Sequence, residues 1–84
     1  MPQGAIAILN HNRGMYAVEL TDDNYSVFEL LDTNELETGD MIAGSLDEEG
    51  NCILFNVTSG KRFDAIVQNT GLNFLMAQKQ TFIR

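Results

Sequence analysis

Apolar and polar residues alternate along most of the chain, and the alternation has the period of a β-strand. A first short strand is predicted over Gly4 to Leu9. Met15 to Thr21 alternates cleanly, with Tyr16, Val18 and Leu20 on one side and Met15, Ala17 and Glu19 on the other. TDDN, 21–24, is a turn, because Asp and Asn bond their own backbone and tolerate left-handed geometry. Tyr25 to Leu31 is a third strand, rich in β-formers. The polar DTNELETGD, 32–40, has room for one helical turn capped by Asp32 or Thr33. Met41 to Leu46 is a fourth strand with Ile42, Gly44 and Leu46 on one face. DEEGN, 47–51, connects it to a fifth, Cys52 to Thr58, with Ile53, Phe55 and Val57 on one face. Five short strands in close succession predict a small barrel or sandwich.

Beyond SGKR, 59–62, the pattern changes. Phe63 to Gln68 is a candidate sixth strand, and NTG, 69–71, a turn. Leu72, Leu75, Met76 and Phe82 or Ile83 then recur at helical spacing, behind Asn73 as N-cap. The expectation is an all-β fold, or β with one terminal helix. It is a single domain, with a barrel over 1–60 and an extension over 61–84 that packs on it. An added strand pair is the alternative for the extension.

Composition narrows the class. The 84 residues are 44% apolar, which suits a folded globule. No apolar run approaches the ~20 residues of a membrane-spanning helix. MPQGAIAILN lacks a basic leader, and Cys52 is the only cysteine, so a cytoplasmic protein without a disulfide framework, metal or cofactor is expected. The net charge is −7, and its layout is uneven. Eleven of the twelve acids, all but Asp64, fall between Gly14 and Gly60, a stretch without Lys or Arg. Four of the five bases lie from Lys61 onward. Such a body repels phosphate at long range.

Gly4 to Thr58 resembles a cold-shock domain, the smallest version of the OB-fold. GAIAILN, 4–10, is similar to the family's first strand, and RGMYAV, 13–18, to its ribonucleoprotein motif. TDDNYSVFEL, 21–30, is similar to its acidic turn and third strand, LETGDMI, 36–42, to its L-x-x-G-x-x-V stretch, and NVTS, 56–59, to its closing segment. The chain is also similar to short bacterial proteins with an R-G-M-x-A-V hairpin and a V-F-E strand. The resemblance implies a small five-stranded OB-like barrel. It also implies a surface on the second and third strands where relatives stack bases on aromatic rings, each stack being worth ~1–3 kcal/mol.

The matching positions here are Ile8, Leu9, Met15, Ala17, Phe28 and Leu30, of which only Phe28 carries a ring. Arg13 keeps the basic hairpin residue, and Lys61 and Arg62 add charge. The expectation is a non-enzymatic interaction module with a degenerate stacking surface, more suited to a protein than to nucleic acid. Weak single-strand binding through Arg13, Met15, Phe28, Lys61 and Arg62 is the alternative. Glu29 falls where the family has an inward valine, and a shift of one residue there sends Phe28 and Leu30 inward. An apolar surface of Ile8, Met15, Ala17, Phe28 and Leu30 needs a cover. The C-terminal segment is the nearest candidate, with its Lys79 and Arg84 beside an acidic barrel. A protein partner or a homodimer is the rival cover.

Other chemistry finds little support. His11, the only histidine, sits in a turn, and Cys52 reads as a packed side chain. Asp32, Glu35, Glu37 and Asp40 fail the calcium-loop spacing, because Leu36 occupies a ligand position and the central glycine is missing. Catalysis is not expected, since no residues supply nucleophile, base and stabiliser together.

Overall fold

A computed structural model describes residues 2–21 and 23–82. Ile83 and Arg84, read above as part of the extension, and Asp22 of the TDDN turn lie outside the described residues. Six strands, β1 (Gln3–Asn10), β2 (Met15–Thr21), β3 (Asn24–Leu30), β4 (Met41–Ala43), β5 (Gly50–Asn56) and β6 (Lys61–Leu72), precede one helix, α1 (Phe74–Phe82). The strands close into a barrel in the order β1-β2-β3-β6-β5-β4, with β4 returning to β1. Every neighbouring pair is antiparallel.

The barrel and the terminal helix are those the pattern predicts, with one more strand in the wall. The candidate sixth strand is the longest element, at 12 residues, and pairs with both β3 and β5. The barrel therefore runs to residue 72, and the extension that packs on it begins at Asn73 rather than at residue 61. NTG, 69–71, is not a chain reversal. It lies inside β6, where the register against β3 slips twice, and Gly71 takes up a positive φ of 67°. The polar 32–40 segment forms no helical turn. Asp32 Oδ1 instead accepts the Asn34 N–H at 3.0 Å, and its Oδ2 accepts the Asp64 N–H at 3.0 Å. β4 stops at Ala43 because Gly44, at φ 145°, turns the chain. Leu46 then crosses the barrel end, and its carbonyl accepts the Ser26 hydroxyl.

Ile6, Tyr16, Val18, Phe28, Leu36, Ile42, Leu46, Leu54, Phe63, Ala65 and Val67 fill the interior. Phe28 stacks on Tyr16 at 5.5 Å between centroids and meets Phe63 at 5.6 Å. A second core lies outside the barrel wall, between the sheet and the helix, and holds Ile8, Met15, Ala17, Tyr25, Val27 and Ala77. β1 serves both cores through a bulge. Ile6 pairs with Val18 and Ile8 with Ala17, so Ala7 has no partner and the alternation inverts across it. Close approach also requires Gly4, since a Cβ there would overlap the carbonyl oxygen of Glu19 on β2.

Candidate functional site

The surface on which the cold-shock resemblance places bases is the outer face of β1, β2 and β3. In this chain α1 lies across it. The seat is made by alternation on β2, where Met15 and Ala17 point out and Tyr16 and Val18 point in. On β3 the outward residues are Tyr25 and Val27. Ala77 enters this seat fully buried, and its small side chain lets the helix sit close to the sheet. Tyr25 meets Phe74 edge-on at 5.7 Å.

Both ends of α1 are tied to turns of the barrel. Asn73 Oδ1 accepts the Met76 N–H at 2.8 Å, the N-cap bond its sequence position predicts. Asp23, in the β2–β3 turn with φ 52°, accepts the Phe74 N–H at 2.8 Å. At the other end Arg13 Nη1 donates to the carbonyls of Gln80 at 2.9 Å and Thr81 at 3.0 Å. Asn10 Nδ2 adds a bond to the Thr81 carbonyl at 3.2 Å. An acid at the helix N-terminus and a guanidinium at its C-terminus both oppose the helix dipole favourably.

The eight residues read as a binding surface therefore separate into three groups. Ile8, Met15 and Ala17 lie on the outer face as expected, but beneath α1, and Arg13 joins them as the clasp on its C-terminus. Phe28 and Leu30 correct the expectation. They point into the barrel, with Phe28 0% exposed, while Tyr25, Val27 and Glu29 face outward. The third strand is thus shifted by one residue relative to the family alignment, and Glu29 reaches solvent where Gln68 donates to its Oε1 at 3.1 Å. Leu9 likewise packs against the interior. Lys61 and Arg62 begin β6, are exposed, and have no part in the seat of the helix.

A second surface was not expected. Ile53, Phe55 and Val57 do share a face, but it is the outer one, and Ile53 is 63% exposed. Cys52, Leu54 and Asn56 face in. Across the strand pair Ile53 lies opposite Asp64 and Phe55 opposite Arg62. Leu31, also exposed, joins Ile53 and Asp64 around a shallow groove of about 370 Å³.

Burial pushes the Cys52 thiol up, away from the reactive thiolate. His11 Nδ1 lies 3.1 Å from the Tyr16 hydroxyl, whose own pKa is raised by burial and, to a lesser degree, by Glu37. Among the described residues no three metal-ligating side chains converge, and no helix is long and apolar enough to cross a membrane. The class defined by these features is a small closed antiparallel barrel carrying its own helical cover. Comparison with protein-family models, with curated proteins and with solved structures returns no match.

Proposed function

We propose that this protein is a non-enzymatic, cytoplasmic interaction module of the OB and cold-shock type, in which an internal helix has replaced nucleic acid on the stacking surface, and that its partner is a protein. The single observation that carries this reading is the seat of α1. It occupies β1–β2–β3 through a buried contact of Ile8, Met15, Ala17, Tyr25, Val27 and Ala77. The one basic residue of the hairpin is directed to helix carbonyls rather than to solvent. A single strand would have to displace the helix to reach that face. It would then find one ring, that of Tyr25 rather than Phe28, and an acidic body that repels it. The placement of His11 against Tyr16 and of Cys52 in the wall supports the non-enzymatic reading.

Weak single-strand binding keeps one piece of support, the exposed Phe55 beside Arg62 with Lys61 next to it. An amide shift titration with oligo-dT or oligo-U at low salt separates the two readings. Residues 8–18, 25–30, 55 and 61–62 are expected to stay unmoved. Salt-sensitive shifts at any of these sites overturn the protein-module reading.

A further inference from the structure

The outer face of β5 is a part of the barrel wall that no described residue covers. Ile53, Phe55, Val57 and Leu31 are all exposed there, although the inner face of the same strand carries Cys52 and the polar Asn56. A small monomer rarely leaves such a row in water unless something docks on it.

The charges around the row are ordered along the strand. At its start stand Asp47, Glu48 and Glu49 of the hairpin before β5 and Asp64 opposite Ile53. At its finish stands Arg62, opposite Phe55. The surface is therefore apolar in the middle, acidic at one end and basic at the other. A patch of this kind is complementary to itself reversed. A twofold axis lying in the interface and crossing β5 at right angles between Ile53 and Phe55 turns each acidic end onto the other copy's basic end. Arg62 then faces Asp64 of the second copy, and Ile53 faces Phe55. An axis along the strand would set acid against acid, so the charge order selects one arrangement.

We infer that this stripe is the docking surface for a second copy of the chain, joined in a reversed, isologous pair held by Ile53 and Phe55 and registered by Arg62 and Asp64. The inference rests on the protein-module reading and names its partner. The row is narrow. A standard interface takes roughly 800 Å² from each partner, about one-sixth of the 4840 Å² surface. The pair is accordingly weak, forming over roughly 10 µM to 1 mM.

Sedimentation velocity on the full chain at low salt, across that concentration range, tests this. The wild type is expected to move from monomer toward dimer mass, less so in high salt. Arg62→Asp and Asp64→Arg each place like charges together twice per dimer and are expected to lower association at least ~100-fold. Mixed together, the two variants restore opposite pairs at both positions, and dimer mass returns. Phe55→Glu abolishes association, whereas Leu75→Glu, on the exposed side of α1, leaves it unchanged. All four changes are at exposed positions, and circular dichroism verifies that each variant is folded. A wild type that stays monomeric throughout refutes self-pairing, as does a mixture that fails to reassociate or a dimer broken by Leu75→Glu alone. If the chain is monomeric and oligonucleotides still produce no shifts, the protein-module reading survives without the dimer. Oligonucleotide shifts centred on Phe55, Lys61 and Arg62 remove both.

Discussion

Arg13 decides between a clasp and a phosphate contact, and its replacement by alanine reads out which. One nitrogen of the guanidinium donates to two helix carbonyls, at 2.9 and 3.0 Å, in a half-buried position. Hydrogen bonds to a charged group contribute about 1.5–3 kcal/mol each when both partners are otherwise lost, and a cation at a helix C-terminus contributes about 0.3–2 kcal/mol. These two accounts overlap for a single side chain. Water also reaches the carbonyls once the arginine is gone, so the loss comes to about 1–2 kcal/mol. With a urea m value near ~1 kcal/mol/M for a chain of this size, the midpoint of unfolding falls by ~1–2 M. Amide exchange should quicken by ~5–30-fold through α1, because the clasp holds that element directly. Arg13→Lys keeps the charge without the planar fork and recovers about half of the loss. If Arg13→Ala leaves both the midpoint and the helix amides unchanged, the guanidinium does not hold the helix, and the covered-face account fails. A free phosphate contact predicts that outcome, together with weaker oligonucleotide binding.

Other changes probe the same structure. Phe28→Ala empties a fully buried site between Tyr16 and Phe63 and should cost ~3–5 kcal/mol in urea unfolding, where a surface stacking residue would cost almost nothing. Asn73→Ala and Asp23→Ala each remove an acceptor from the first turn of α1 and should cost ~0.5–2 kcal/mol, read by the same unfolding curves. Gly4→Ala drives a methyl group into the backbone of β2, and loss of soluble, folded protein is the expected result on expression. Asp32 is held below its ordinary value of 3.8, first by the Asn34 backbone N–H and then by that of Asp64. Its contribution to stability is therefore fully present above that value and fades as the pH falls through the lowered one. Carboxyl NMR should show the depressed titration, and Asp32→Asn should remove that part of the acid-side loss.

Much of the barrel was legible from alternation alone. Met15 to Thr21 is a strand at the predicted bounds with the predicted faces, because its two sides differ in where they pack but neither breaks period two. The helix was legible from Asn73 and the spacing after it. Strand three was not, since it is sandwiched between the interior and the helix. Tyr25 and Val27 on one side and Phe28 and Leu30 on the other are all apolar, and hydrophobicity cannot say which set is inside. The family alignment chose the wrong set, and Glu29 was the residue that signalled it. The stripe on β5 misleads for the opposite reason. Ile53, Phe55 and Val57 face water, while Leu54 faces in between a cysteine and a hydrogen-bonded asparagine, Asn56, whose Nδ2 donates to Asp40 at 2.9 Å. The length of β6 was hidden by Asn69 and Gly71, residues that usually reverse a chain and here absorb slips of register.

The unpaired Ala7 has a consequence for how this chain can change. If Ala7 paired across to β2 instead of bulging, Ile8 would rotate into the barrel, Leu9 would take the place under the helix, and Asn10 would lose its reach to Thr81. A straightened strand would thus disturb two hydrophobic volumes and a helix terminus together, whereas loss of Ala7 itself would keep Ile6 inward and Ile8 outward. The β4–β5 hairpin, Asp47 to Glu49, is exposed and can lengthen or shorten at small cost. Relatives of this chain should vary freely in length at that hairpin, and one residue fewer between Ile6 and Ile8 should be tolerated, because it removes the bulge without exchanging the faces.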